Sequence, residues 1–250
     1  MLSMKKIIHL LLACCLSVAL QAQQSASVEQ VEVALQQACL DGNADAIQAS
    51  VLQLASLGAY GADKLEYASN LLSSIEVNGV LFTGSKGDTY PVLMLQFLKS
   101  MRTDVRVIHT EWLKNQNYLS QMQSAVGIEK EGAEGIRLLA REKPVYVSLA
   151  AKSDVISALE AELYCTGLAF KCSGSPLANV RVMYMDWWKN CGKNHMSTGY
   201  GLNANYLVPL AMLASYANSN RYTSEYKIIK QKYAKIAKSV GEKEQLPVMK

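Results

Sequence analysis

The feature that most constrains the fold is an alternation of short apolar runs with longer amphipathic segments in the middle of the chain. Apolar runs typical of buried strands occupy residues 80–83, 105–108, 144–149 and 168–172. Segments with helical periodicity occupy residues 91–101, 118–125, 136–140 and 154–164. Because strands and helices alternate, the pattern predicts an α/β fold with parallel strands joined by right-handed crossovers. We expect a small Rossmann-like parallel sheet of about four strands in the order 2-1-3-4.

Helical patterns lie on both sides of this middle part. Apolar residues recur at helical spacing between residues 28 and 75, and again through residues 180–190, 205–216 and 222–240. The sequence therefore predicts a helical segment at 23–78, an α/β core at 79–175 and a C-terminal helical region at 176–250 that packs on the core.

The first 22 residues have the pattern of a signal peptide. Lys5 and Lys6 precede an apolar stretch at 7–20 that is too short to span a bilayer, and Ala22 supplies a small residue for cleavage. The alternative is a lipoprotein signal, in which Cys14 would be acylated and would hold the protein at a membrane. Both interpretations predict an exported, periplasmic protein, and membrane attachment is expected only with lipidation at Cys14.

Charge and cysteine content narrow the classes of function. Removal of Lys5 and Lys6 with the signal lowers the net charge from +4 to +2, which gives no basis for nucleic-acid binding. The remaining cysteines are either disulfide-bonded in pairs or buried as free thiols: Cys39, Cys165, Cys172 and Cys191. No cysteine or histidine spacing resembles a metal site, and we expect no metal and no cofactor.

A glycine-rich turn follows the first predicted strand and forms the main candidate ligand site. Its residues are Gly84, Ser85, Lys86, Gly87, Asp88 and Thr89. In an open parallel sheet, ligands bind beyond the carboxyl ends of the strands, and a helix N-terminus there attracts anions. With strands in the order 2-1-3, the turn would lie beside His109, Glu111 and Lys152 at the ends of the next two strands. A small anionic or sugar ligand is the predicted occupant.

The same residues also allow a purely structural interpretation. His109 and Glu111 are candidates for a base and its orienting group, with Asp88 as a further candidate for acid–base chemistry. Alternatively, Asp88 is the N-cap of the following helix, Lys86 is a solvated loop residue and His109 is a packing residue. The turn does not match a phosphate-binding P-loop, and the chain has no nucleophile elbow.

The stretch "NLLSSIEVNGVLFTGSKGDTYPVLMLQFLKSMRTDVRVIHTEWL" resembles a known family. It is similar to the soluble C-terminal region of large bacterial membrane proteins that carry a domain of unknown function related to GT-C-type protein O-mannosyltransferases. The resemblance extends over residues 63–235. Asp88, Thr89, Tyr90 and Pro91 match the family's turn, whereas Lys86 stands where the family has an acid. The transmembrane transferase half has no counterpart here, so the resemblance does not imply mannosyl transfer.

These observations favour an exported, non-catalytic α/β scaffold or interaction protein of the bacterial cell envelope with a protein partner. The alternative is an enzyme or binding protein for a phosphorylated or sugar-containing envelope compound, bound at the strand-end cleft.

Overall fold

The computed structural model describes residues 27–194 and 201–242, so the predicted signal segment and Cys14 lie outside the described residues. Three helices come first: α1 (Val28–Asp41), α2 (Ala44–Ser56) and α3 (Ala62–Leu72). The first begins at a reciprocal capping box on Ser27, and it ends at Gly42, whose left-handed backbone suits glycine. These two signals set a tight turn between α1 and α2, which pack against each other.

The α/β part follows the predicted alternation. Its elements are β1 (Val80–Thr83), α4 (Lys86–Lys99), β2 (Arg106–His109), a 3₁₀ turn (Thr110–Lys114), α5 (Gln116–Val126), α6 (Gly132–Leu139), β3 (Val145–Ser148), α7 (Ser153–Leu159), a second 3₁₀ turn (Glu160–Glu162), β4 (Leu163–Cys165) and β5 (Ala169–Cys172). The sheet has the order β2-β1-β3-β5-β4. β1 pairs in parallel with both β2 and β3.

The α/β class and the central order 2-1-3 are confirmed, and the fourth predicted strand does lie beside β3. Its direction differs from the expectation, because β5 runs antiparallel to β3. A fifth strand, β4, pairs antiparallel with β5 where the sequence predicted the end of a helix. Only residues 166–168 join these two strands, and so short a connection can form a hairpin but not a crossover.

The two faces of the sheet pack into two apolar cores. Side chains alternate along β1, so Phe82 faces a core formed with α1, α2, α5 and α6, whereas Leu81 faces a core formed with α3 and the C-terminal helices. All four residues of β1 and of β3 are buried. The sheet thus holds the N-terminal and C-terminal helices on its two sides.

The described residues of the C-terminal region are mainly helical. They include α8 (Asn179–Met183), a π-helical stretch (Tyr184–Gly192), a 3₁₀ turn (Gly201–Tyr206), α9 (Leu207–Ser219) and α10 (Thr223–Val240). Trp187 and Trp188 are buried, and the Trp187 indole N–H donates to the carbonyl oxygen of Asn70 at 3.1 Å. The structure therefore places both indoles in the core. Within residues 27–194 and 201–242, no helix is both long and apolar enough to cross a membrane.

Candidate functional site

The turn after β1 is organised around a buried carboxylate. Ser85, not Asp88, is the N-cap of α4: its hydroxyl oxygen accepts the N–H of Asp88 at 3.3 Å. Asp88 lies at the third helical position and accepts the N–H and the hydroxyl of Ser85, each at 2.9 Å. The N–H of Gly84 points to its second oxygen at 3.4 Å. The prediction of Asp88 as the N-cap is therefore wrong by three residues, because the helix begins before the first apolar residue of its helical pattern.

Asp88 is fully buried, and this burial raises the pKa of its carboxyl group. Hydrogen bonds from Ser148, Ser85 and Gly84 act in the opposite direction. Because the carboxylate accepts the backbone N–H groups of Gly84 and Ser85, those donors are directed at the protein's own anion. Thr89 is buried as well, with its hydroxyl within hydrogen-bond distance of the Thr83 hydroxyl (2.8 Å) and the Ser85 carbonyl oxygen (2.7 Å).

The ends of the three parallel strands do meet at one edge, as the order 2-1-3 predicted. A Cβ atom on Gly84 would lie 2.7 Å from the Cα of Ala151 and 3.0 Å from the backbone nitrogen of Lys152. The glycine is thus required by the close approach of the turn after β3. Across the same edge, the Lys152 ammonium forms an ion pair with Glu111 at 3.0 Å.

The charged side chains at this edge pair with one another. Lys86 pairs with Glu32 of α1 at 3.0 Å, a contact that sequence reasoning missed because the two positions are 54 residues apart. Glu111 pairs with Lys114 at 2.9 Å in addition to Lys152, and hydrogen bonds from these two lysines hold its pKa below the usual value. Each of these charged side chains therefore has an ion-pair partner within the chain, with Lys114 and Lys152 sharing the one carboxylate of Glu111.

His109 is a buried packing residue at the last position of β2. Its ring stacks on Trp112 with centroids 4.6 Å apart and planes 13° from parallel. Since β2 ends at His109 and the chain turns into the 3₁₀ segment, strand alternation does not carry Glu111 onto the same face. No hydrogen bond joins the His109 ring to Glu111 in the part of the chain that the structure describes. The structure thus does not form the base–orienter pair that the sequence suggested.

Burial lowers the pKa of His109 from 6.5 to about 4. The charge of Glu111 has a smaller effect that raises the pKa, and the charge of Lys152 lowers it slightly further. The imidazole is therefore neutral at physiological pH. Its Nδ1 is buried and has no hydrogen-bond partner among the described residues. A buried nitrogen of this kind is an unused polar group at the strand-end edge.

The low pKa of His109 predicts an acid-sensitive fold. Because the folded-state pKa lies below the unfolded value, the stabilisation is complete above about pH 6.5 and is lost as the pH falls toward about 4. We expect a loss of about 1 to 2 kcal/mol in the free energy of unfolding, allowing for partial solvent screening. Urea unfolding at about pH 7 and pH 4.5 measures this loss.

The His109→Phe variant keeps a ring against Trp112 but cannot titrate, so it serves as the control for the acid-sensitivity prediction. Its unfolding free energy should fall less than that of the wild type over the same pH interval. An equal fall in both proteins would mean that other groups cause the acid sensitivity.

Sequence reasoning missed a cavity on the outer side of β2, which we call the β2-edge cavity. It has a volume of about 490 Å³, and His109 and Thr89 contribute to its wall together with Arg106. A sequence signal did exist: in the order 2-1-3, β2 is an edge strand, and one long side of an edge strand has no sheet partner. What covers that side depends on helices from the N-terminal segment, which strand patterns do not reveal.

The four cysteines of the described region are free thiols. Burial raises the pKa of Cys39 and of Cys165 to about 12, which makes both unreactive at neutral pH. Of the two alternatives left open by the sequence, the structure therefore has free thiols. Within the described residues, no group of three or more histidine, cysteine or acidic side chains is arranged to hold a metal ion.

Comparison with known proteins identifies one related domain. Residues 64–130 match the family model described as TMEM260-associated domain 2, a family linked to TMEM260, itself a protein O-mannosyltransferase. The matched segment runs from α3 to the residues after α5, so it includes the turn at 84–89, strand β2 and part of the β2-edge cavity. No curated protein and no solved structure matches the chain significantly. The link to relatives of protein O-mannosyltransferases is thus supported for about a quarter of the chain.

Proposed function

We propose that this chain is a non-catalytic α/β interaction protein of the bacterial cell envelope that binds a protein partner. The observation that carries the proposal is the state of the reactive groups at the strand ends. Asp88 is buried in the capping box, Lys86 pairs with Glu32, and Glu111 pairs with two lysines. A general acid or base needs a group with a suitable pKa that can reach a substrate proton, and this edge presents none among these residues.

The histidine does not change this conclusion. A base that operates near neutral pH needs a pKa near that pH, whereas burial lowers the pKa of His109 to about 4. A neutral, stacked imidazole can still donate or accept a hydrogen bond, which suits binding better than proton transfer.

The proposed location rests on the first 22 residues. Their basic start, apolar stretch and small residue at Ala22 support export through a cleaved signal, and Cys14 supports the lipid-anchored alternative. The family resemblance supports the same compartment, since the related bacterial proteins carry this domain as a soluble C-terminal region beside a membrane.

Recovery of cross-linked partners from envelope fractions tests the proposal. The full chain, tagged at its C-terminus, is compared with a Lys86→Ala/Lys152→Ala variant and with a version lacking residues 2–22. We expect the first two proteins to recover the same partner, because both lysines lie at the surface and are engaged in exposed ion pairs. The version without residues 2–22 should recover none.

A ligand screen tests the alternative function, an enzyme or binding protein for a phosphorylated or sugar-containing compound. Nucleotides and sugar phosphates are tested for a rise in the melting temperature of the purified wild type and of the Lys86→Ala/Lys152→Ala variant. A rise seen only in the wild type would overturn the non-catalytic interpretation in favour of an enzyme or binding protein for a phosphorylated envelope compound. No rise in either protein agrees with the proposal.

A further inference from the structure

The β2-edge cavity lies between the free edge of the sheet and the turn that joins α1 to α2. Leu93 and Phe97 of α4 line the cavity, together with Trp112 and Tyr118 from the segments that follow β2. Ile47, near the start of α2, lines it as well. A volume of about 490 Å³ is in the range of pockets that enclose a small organic molecule.

The floor of the cavity is an incompletely paired strand edge. The N–H of Arg106 donates to the carbonyl oxygen of Gly79 at 3.0 Å, so Arg106 and Ile108 direct their backbone groups toward β1. By alternation, Val107 directs its N–H and C=O away from the sheet.

Side chains satisfy the outward backbone groups on either side of Val107. The carbonyl oxygen of Val105 accepts the side-chain amide of Gln96 at 2.8 Å, and the N–H of His109 points to the hydroxyl oxygen of Tyr118 at 3.4 Å. No described residue forms a hydrogen bond with the outward N–H or C=O of Val107. One donor and one acceptor with strand geometry are therefore available where Val107 lines the cavity.

The described part of the cavity wall carries a positive charge and no negative charge. Among the described residues that line it, Arg106 is the one charged side chain, and none is acidic. Arg106 is exposed, and no described residue forms an ion pair or a side-chain hydrogen bond with its guanidinium group. The other arginine of this region, Arg102, is by contrast fully engaged with Asp104 and backbone carbonyl oxygens. An uncompensated guanidinium beside an apolar cavity favours a carboxylate, which it can bind through two hydrogen bonds.

We propose that the β2-edge cavity binds a small carboxylate that carries an amide and an apolar body, the chemistry of an N-acylated apolar amino acid. The carboxylate binds the guanidinium of Arg106, and the amide pairs with the outward N–H and C=O of Val107. The apolar body packs between Phe97 and Trp112.

The size of the cavity favours a free small molecule over a longer peptide strand. An added strand needs open space along several residues of the sheet edge. Here Gln96 and Tyr118 occupy the outward backbone groups on both sides of Val107, and the α1–α2 turn lies across the edge. This inference is independent of the proposed partner protein, because a scaffold with or without such a partner could hold the ligand.

Isothermal titration calorimetry on the full chain with N-acetyl-L-phenylalanine tests the proposal. We expect measurable binding that weakens about tenfold or more when Arg106→Gln removes the charge. N-acetyl-L-phenylalaninamide, which has the same amide and ring but no carboxylate, should bind at least about tenfold more weakly to the wild type. The matched control is Arg141→Gln, which removes an exposed arginine outside the cavity and should leave the affinity unchanged.

A second variant tests whether binding requires the space inside the β2-edge cavity. Leu93→Trp fills the cavity from α4 without changing any charge, and it should abolish binding while the unfolding transition remains cooperative. Absence of binding to the wild type, or equal binding of the acid and the amide, would overturn the proposal. Much tighter binding of a tetrapeptide ending in phenylalanine would overturn the assignment to a small free ligand and favour a peptide terminus.

Discussion

Asp88→Ala is expected to lower the free energy of unfolding by about 3 kcal/mol at neutral pH. The carboxylate accepts the N–H and hydroxyl of Ser85 and lies 3.4 Å from the N–H of Gly84, all in a fully buried setting. Alanine removes every one of these acceptors, and unpaired donors that stay away from water are costly. Urea unfolding followed by far-UV circular dichroism measures the loss, with an unchanged m-value.

Two further variants make the result of the Asp88 prediction specific. Asp88→Asn keeps one acceptor oxygen and the side-chain shape, so its loss should be clearly smaller than that of the alanine variant. Asp154→Ala also removes an acid from the first turn of a helix, but among the described residues the Asp154 carboxylate accepts a hydrogen bond only from the N–H of Val155, at 2.9 Å. We expect a loss below about 1 kcal/mol there.

A loss below about 1 kcal/mol for Asp88→Ala would contradict the capping role and would leave the carboxylate free for a ligand. The measurement therefore bears on function as well as on stability. The non-catalytic proposal requires that Asp88 acts within the fold.

Arg102→Ala is expected to cost about 3 kcal/mol. The guanidinium donates to the carbonyl oxygens of Leu72 (2.8 Å), the last residue of α3, and of Ile75 (2.9 Å) and Glu76 (2.9 Å) just beyond it. It also donates to both carboxylate oxygens of Asp104, at 2.9 Å each. One side chain thus connects the segment before β1 to the turn before β2. Thermal and urea unfolding of the variant measure the loss.

Arg102→Lys retains the charge but not the planar set of donors, and we expect it to recover less than half of the lost stability. Arg141→Ala removes an exposed arginine elsewhere and should change the free energy of unfolding by less than about 0.5 kcal/mol. If the lysine variant were as stable as the wild type, charge alone would account for the effect and the hydrogen bonds to the three carbonyl oxygens would be unimportant.

The sheet shows how far the sequence pattern extends. Apolar runs and helical spacing predicted β1, β2 and β3 and their order. The signal is strong at β1 and β3, because all their residues are buried on both faces. Strand β4 was not predicted, because it has only three residues and follows α7 through a 3₁₀ turn. A periodic signal needs more residues than this strand contains.

The structure brings the residues of the candidate site together, but most of their contacts were not predicted. The turn at 84–89 and the residues His109, Glu111 and Lys152 do lie at neighbouring strand ends. Their partners could not be read from the chain, because Glu32 comes from a helix that no local pattern connects to the sheet. The same helix and the turn after it cover β2 and form the cavity.

The sequence by itself determined the α/β class, the three parallel strands and the position of the glycine-rich turn. These properties follow from the local spacing of apolar side chains and from backbone requirements at glycine. Both signals depend only on residues that are close together in the chain. Only the tertiary structure decided that Asp88 is a buried acceptor and that the charged side chains at the strand ends form ion pairs with one another. It also decided that Arg106 lies beside an apolar cavity with no ion-pair partner among the described residues. These outcomes depend on contacts between residues far apart in the chain, and electrostatics and burial act through distance in space.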